Sequence, residues 1–401
     1  MRILIWGTGK IAQLFFESGI LEIEKSGIEI IGFVDNNNLK WGTEFSGKKI
    51  YSPNDIRTMV FDKLVICLRG DFYTQVYRQI VYDLGISDEK IENVLWLESL
   101  KGRMKVRDFK QSRQPQIYDC FIFYNEFELL ELRLKLLAPY VDYFVIAEMQ
   151  TDFNGDKKPC YFFENRERFD AYKDKILYVC SEDAPNDTLD KNSKGYALDY
   201  PRIMYLRNTL QTRLQQCQPM DYILLSDIDE IPNPRQLREL CEGNGKLKKN
   251  FLEVILQKYP ITFEQDYFYY FMNLRHKTKW YGTCMIQYQN LTTFEELRNE
   301  KDYGSLISIA NGGWHFSCMG GLEGVKQKIR VSNETKEVVG EEITDELIKE
   351  YIENRKDVFF RTSSDTEESR LDYLENYEDL EIDGIEEFIM KYPYMWKEYN
   401  D

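Results

Sequence analysis

Short unbroken apolar runs recur along the chain, and between them apolar positions return every three or four residues, the pattern of buried strands alternating with amphipathic helices. "RILIW" at 2–6, "IEIIGFV" at 28–34, "KLVICLR" at 63–69 and "ENVLWL" at 92–97 are the runs of the first hundred residues. A second series starts at 117–123, "IYDCFIF", and Phe127, Leu130, Leu134 and Leu137 then fall at helical spacing up to Pro139. The strand "DYFVIAE" (142–148) follows, and later a helix at about 201–216 carries Ile203, Leu206, Leu210 and Leu214 on one face. A third strand of this series, "DYILLSDIDEIP", closes at Pro232, which cannot donate to a ladder.

Strand, helix and strand in parallel predict open α/β sheets, whose ligands sit beyond the carboxyl ends of the strands. Between the two series, "KGRMKVRDFKQSRQPQ" (101–116) is basic and nearly free of apolar residues, so it is the expected boundary between a domain at 1–110 and one at 116–401. Within the larger unit, residues 341–401 are acidic and helical by pattern, with Ile343, Leu347, Ile348, Tyr351 and Ile352 on one face. They are expected to pack on it as a lid or brace.

The first strand runs into Gly7-x-Gly9-x-x-Ala12, and the second ends at Asp35. Glycines there permit a tight turn, the following helix offers N–H groups to a phosphate, and Asp35 could accept from a ribose hydroxyl. A pocket for a nucleotide or nucleotide-sugar and a structural unit that keeps only the turn are both open.

In the larger unit, Asn125, Glu126 and Glu148 stand just beyond strand ends and are expected to share one crevice. The third strand ends in Asp227, Asp229 and Glu230. If the extended conformation continues, its period of two puts Asp227 and Asp229 on one face, where they repel unless a cation lies between. Mg²⁺ or Mn²⁺ meets that need, held by one or two carboxylates and a substrate's phosphates. Of the two histidines, His315 lies in "NGGWHFSCMGG" and is a candidate third ligand for Mn²⁺, whereas His276, in the cationic run "RHKTKW", reads as surface.

Composition narrows the partners. With 52 Lys and Arg against 68 Asp and Glu, the net charge is −16, and no dense basic block suits nucleic acid. The eight cysteines form no Cys-x-x-Cys pair and read as reduced, buried thiols of a cytoplasmic protein. No signal peptide or membrane span is expected, so membrane contact would be peripheral, at the inner face.

Five stretches, "YDCFIFYNEFELLELRLKLLAPYVDYFVIAE", "LRN" (206–208), "LLSDIDEIP", "GGWHFSCMGGLEGVKQK" and "ENRKDVFFR", occur in an order that resembles the β-1,4-mannosyl-glycoprotein 4-β-N-acetylglucosaminyltransferase family and its bacterial relatives. The similarity covers residues 117 to about 400. It implies a GT-A glycosyltransferase fold, a UDP-sugar donor, Mn²⁺ or Mg²⁺, and inversion at the anomeric carbon. Carried over by position, Asp227 and Asp229 become the metal and diphosphate motif, His315 a late metal or diphosphate contact, and Arg207 a donor-site cation. Asn125, Glu126, Glu148 and Lys158 become candidates for the nucleoside pocket.

The first domain resembles the small Rossmann-like domains of bacterial sugar O-acyltransferases, through "GFVDNN" and "GKKIYSPNDI". A general base is required for inversion. Glu230 beside the acidic motif and Glu323 in "GGLEG" are the candidates, and Glu230 could equally cap the helix starting near Pro234. With no anchor expected, the acceptor is expected to be a glycan or lipid-linked glycan of surface-polysaccharide synthesis. An NAD(P)-dependent oxidoreductase built on the Gly7 turn and a non-catalytic nucleotide-sugar binding protein are the rival readings.

Overall fold

The computed structural model describes residues 1–9, 12, 27–68, 75–93, 113–185, 196–242, 260–303, 308–331, 343–359 and 374–398. The first sheet has the order β3-β4-β2-β1-β5-β6. Its strands are β1 (Arg2–Trp6), β2 (Glu29–Val34), β3 (Glu44–Phe45), β4 (Lys48–Tyr51), β5 (Lys63–Ile66) and β6 (Ile91–Asn93). Apart from the β3–β4 hairpin, neighbouring strands are parallel. That hairpin has no alternating pattern in the sequence and was not expected. Gly7 turns with φ +109°, and a Cβ there would stand 2.8 Å from the Cys67 carbonyl oxygen, so the tight turn requires glycine. The helix expected after Gly9 and the boundary segment lie largely outside the described residues.

The second sheet runs β11-β15-β12-β14-β10-β7-β8-β9, with β13 and β16 attached beside β12. Its strands are β7 (Ile117–Ile122), β8 (Tyr143–Met149), β9 (Ile176–Ser181), β10 (Tyr222–Leu225), β11 (Glu230–Pro232), β12 (Ile261–Tyr269), β13 (Leu274–Trp280), β14 (Cys284–Gln287), β15 (Ser308–Ser317) and β16 (Glu375–Asn376). Strands β9, β8, β7 and β10 are mutually parallel, and β14 lies antiparallel between β10 and β12. Strand β10 is unbroken in its apolarity because both faces are covered. Leu224 enters one core with Phe121 and Ile146, whereas Ile223 and Leu225 enter another with Leu206 and Leu210.

Two helices close these cores. Helix α1 (Phe127–Leu137) buries Leu130, Leu134 and Leu137, and α3 (Tyr196–Thr209) buries Leu206; a single turn, α2 (Tyr161–Glu164), lies between them in the chain. After α4 (Pro234–Glu242), α5 (Phe294–Tyr303) and α6 (Leu322–Val331), the C-terminal helices are α7 (Asp345–Glu353) and α8 (Ile385–Lys391). Ile348 and Ile352 of α7 pack beside Tyr267 and Tyr270, while Leu347 is exposed. Among the described residues no helix is long and apolar enough to cross a membrane.

Three expectations are corrected. The strand ending in the acidic cluster is not continuous: Asp227 to Glu230 form a turn closed by the Glu230 N–H on the Asp227 carbonyl oxygen (3.0 Å), and β11 then pairs antiparallel with β15. The two aspartates are therefore placed by a turn and not by strand periodicity. Cys160 and Cys180 form a disulfide, so the cysteines are not all reduced, although Cys67, Cys120, Cys217, Cys284 and Cys318 are free. His276 is buried, because β13 is covered and its ring lies 5.2 Å from that of Tyr267.

Beneath the turn lies Arg133 of α1, wholly buried. It pairs with Asp119 through Nε (2.8 Å) and Nη2 (2.6 Å) and donates through Nη1 to the carbonyl oxygens of Asp227 (3.1 Å), Ile228 (3.3 Å) and Glu230 (3.0 Å). Breaking such a pair leaves a buried charge uncompensated. Arg133→Met is expected to lower stability by about 3–5 kcal/mol, read as a lower urea midpoint at unchanged slope, and Asp119→Leu added to it should recover part of the loss.

Candidate functional site

The acidic turn is held from above as well as below. Arg298 of α5 is 3% exposed and binds Glu230 with both terminal nitrogens (2.6 and 2.7 Å), while Nη2 also reaches Asp227 Oδ2 at 2.7 Å. Burial alone would lower the Arg298 pKa, but the charges of Asp227 and Glu230 outweigh it and hold the guanidinium well above its usual range. The other oxygen of Asp227 pairs with Arg207 at 3.2 Å, and Arg207 also binds Glu295 at 2.8 Å.

Glu230 further accepts from Trp280 Nε1 (2.6 Å) and the Asp227 N–H (2.8 Å). Gly282 faces it so closely that any Cβ there would collide with the carboxylate. Both oxygens of this buried carboxylate are thus already engaged by donors. Glu230 lines the cavity and caps no helix; Asn233 accepts from the Arg235 N–H at the start of α4 instead.

Asp229 differs from its neighbours. Its side chain is 18% exposed and faces His315 Nε2 at 3.4 Å, and its backbone oxygen accepts from the Phe316 N–H at 2.8 Å. The His315 ring lies in an aromatic slot, stacked on Tyr267 at 4.7 Å and beside Trp280 at 4.6 Å. Its Nδ1 is buried without a hydrogen-bond partner. Among the described residues, no three His, Cys, Asp or Glu side chains converge as a metal cluster. The expected trio of Asp227, Asp229 and His315 is thus reduced to a pair, because Asp227 is turned onto two arginines. A carboxylate and an imidazole fit a small divalent cation whose remaining positions are filled by phosphate oxygens and water, and the nitrogen ligand suits Mn²⁺ better than Mg²⁺.

These groups open onto a cavity of about 770 Å³ beyond the carboxyl ends of β7, β8 and β10. Asn125, Glu126, Lys158, Arg207, Asp227, Asp229, Glu230, His315 and Glu323 all line it. Glu126 accepts from the backbone N–H groups of Tyr124 and Asn125 (3.1 and 3.0 Å). Burial and the nearby charge of Asp229 nonetheless raise its pKa. Glu323 sits in the first turn of α6, whose Gln327 bonds to Asn125 across the cavity.

Glu148 does not reach the crevice. It is fully buried and accepts from the Phe162 N–H and the Tyr178 hydroxyl, both at 2.9 Å, while Lys158 Nζ stands 3.8 Å away, between the rings of Tyr124 and Tyr161. It supports Lys158 from behind. Burial lowers the Lys158 pKa, against the pull of Glu148, Glu126 and Asp152.

Gly7, Gly9 and Ala12 follow β1 and Asp35 follows β2 of the first sheet, and none of them lines this cavity. Asp35 accepts from Thr8 through both N–H and hydroxyl, from Lys40 Nζ (3.0 Å) and from the Asn37 N–H (2.9 Å). Burial pushes its pKa up, but these bonds and the Lys40 charge outweigh it and leave the carboxyl below its usual range. A ribose hydroxyl would have to displace one of these donors.

Arg133, Arg298 and Gln327 were not assigned to the site from sequence. For Arg133 a signal existed: it falls three residues after Leu130, on the apolar face of its helix. Arg298, in the charged stretch "EELRNE", carries no such mark.

The sequence model for glycosyltransferase family 17 matches residues 98–361, and a model named C2185-like, N-terminal, matches residues 1–92. The β-1,4-mannosyl-glycoprotein 4-β-N-acetylglucosaminyltransferases of Homo sapiens and Rattus norvegicus are each 31% identical over 110 residues, 27% of this chain. The match spans only 20% of those relatives. A solved structure of RSP, a Rex-family repressor, aligns with a TM-score of 0.20 at 21% identity, covering 25% of this chain and 55% of that one.

The Glu148 carboxyl generates a pH prediction. Burial pushes its pKa up from 4.5 to about 7, against Lys158, Tyr178 and the Phe162 N–H. The folded state therefore binds this proton more tightly than the unfolded chain, so the associated stability is complete below pH 4.5 and is lost as pH rises through about 7. Glu148→Gln should gain up to about 3 kcal/mol relative to the parent between pH 4.5 and 8, measured by urea unfolding across that range. Parallel curves for the two proteins would refute this.

Proposed function

The chain belongs to glycosyltransferase family 17, and from that premise we propose that it is a metal-dependent, inverting glycosyltransferase. It moves GlcNAc or a related hexose from a UDP-sugar to a glycan or lipid-linked glycan, in the synthesis of a bacterial surface polysaccharide. The observation that carries this reading is the seating of Asp229 and His315 on a cavity whose neighbouring carboxylates, Asp227 and Glu230, are already matched by arginines. A GT-A arrangement belongs to the same reading. It is supported by the parallel run β9-β8-β7-β10, continued through antiparallel β14, and by the acidic turn beyond β10.

In this reading Asn125, Glu126 and Lys158 take the nucleoside, and Arg207 supplies fixed positive charge beside the diphosphate. Asp229 and His315 would hold the cation, which when bound neutralises the charge growing on the departing diphosphate. The acceptor hydroxyl attacks the anomeric carbon in line with the leaving group. A bond forms from its oxygen to that carbon, the bond from carbon to phosphate oxygen breaks, and UDP departs with the electron pair. Glu323 takes the hydroxyl proton; Glu230, saturated by donors, is not available for it.

Hydrolysis of UDP-GlcNAc, UDP-Gal and UDP-Glc with Mn²⁺ tests the reading. One donor is expected to be cleaved, EDTA to abolish the activity, and Asp229→Ala to lower it about a hundredfold or more, the scale on which several kcal/mol of charge stabilisation is lost. Glu323→Gln should lower transfer by about 10²–10⁴-fold while donor affinity is kept. Cleavage indifferent to EDTA, or undiminished in Asp229→Ala, would overturn the metal-dependent mechanism.

A further inference from the structure

The C-terminal segment lies beyond the residues matched by the family model, yet it forms part of the cavity wall. Helix α8 is fastened to α1 by Lys135 to Glu387 (2.6 Å), by Lys391 to Glu131, and by the Tyr392 hydroxyl to Glu131 (2.8 Å). The turn that follows, Pro393–Met395, is fixed by the Met272 N–H on the Met395 carbonyl oxygen (2.8 Å), and Met395 is buried in the core. Asn273 then secures the next residues through two bonds to the backbone of Lys397.

Within this anchored turn one side chain faces outward. Tyr394 is 51% exposed and lines the cavity, and the carboxyl group of Glu128 at the start of α1 lies close to its hydroxyl. The edge of its ring rests against Gly320, where a Cβ would stand 3.6 Å away, and Gly320 leads through Gly321 into the turn bearing Glu323. The ring is left half exposed while its neighbour Met395 is buried, and it lines the same cavity as the carboxylates of Glu128 and Glu323.

We propose that Tyr394, with Glu128 and Glu323, forms an acceptor subsite for the terminal pyranose of a glycan. The electron-rich ring face receives the polarised C–H face of the sugar, and the carboxylates accept from its hydroxyls. The subsite rests on the glycosyl-transfer reading, but it needs no donor or metal to be observed.

Saturation-transfer NMR with the methyl glycosides of N-acetyl-β-glucosamine, β-galactose, β-glucose and α-mannose provides the test. At least one pyranoside should receive saturation from the parent and from Tyr394→Phe, strongest at the ring C–H protons of one face. Tyr394→Ala and Tyr394→Leu should reduce it roughly fivefold or more. Tyr394→Leu, with an unfolding midpoint matching the parent, separates loss of the ring from loss of fold. Undiminished transfer in both variants, loss in Tyr394→Phe, or no transfer to any of the four glycosides would overturn the subsite. A failed donor-hydrolysis assay alongside positive saturation transfer would instead sink the transferase reading and leave a sugar-binding site.

Discussion

Two buried guanidiniums decide where the acidic turn stands. Arg133 takes the backbone carbonyls of Asp227, Ile228 and Glu230 from below, and Arg298 takes the carboxylates of Asp227 and Glu230 from above. Burying carboxylates at the end of an apolar strand costs several kcal/mol for each ion unless cations and hydrogen bonds compensate. With a planar fork on each side, the turn has little room to reorient. This is why an apolar strand can lead directly into three carboxylates. The arginines come from α1 and α5, so the helices on the sheet set the position of the turn as much as its own strand does.

The strands beside the site were legible because a strand buried on both faces reads as a mostly apolar run; β10 is unbroken, and β7 and β8 are interrupted only by Asp119 and Glu148. The break between β10 and β11 was hidden for the same reason, since Ile228 and Ile231 continue the apolar sequence through the turn. Only the partner strand distinguishes them: β10 pairs with β7 and β14, whereas β11 pairs with β15. Glu230 was misjudged because its burial depends on Arg298, 68 residues away, and on the absence of a side chain at Gly282. Glu148 lies at its strand end as expected, but the chain folds Phe162 and Tyr178 over it.

The cavity has a rigid side and a tunable one. Around the turn, paired charges and the aromatic slot of Tyr267, Trp280 and His315 hold each group in place. At Lys158, by contrast, the amine and Glu148 stand 3.8 Å apart and both have pKa values shifted by burial toward their neutral forms. A ligand phosphate or carbonyl near Lys158 would favour the charged amine and, through it, the ionised Glu148. Occupation of that side would therefore be coupled to the protonation of Lys158 and Glu148.

The distribution of charge around the turn bears on where the proposed cation would sit. Asp119 is matched by Arg133, Glu230 by Arg298, and Asp227 is shared between Arg298 and Arg207, which also serves Glu295. Three guanidiniums thus stand against four carboxylates before Asp229 is considered. Asp229, more exposed than Glu230 and facing a histidine rather than an arginine, adds to an existing negative surplus. A dianionic diphosphate would be repelled by that surplus if it entered alone. In the proposed metal-dependent reading a divalent cation beside Asp229 would reverse the local sign, so that cation and diphosphate would stabilise each other's binding, while the arginines offset most of the charge on the neighbouring carboxylates.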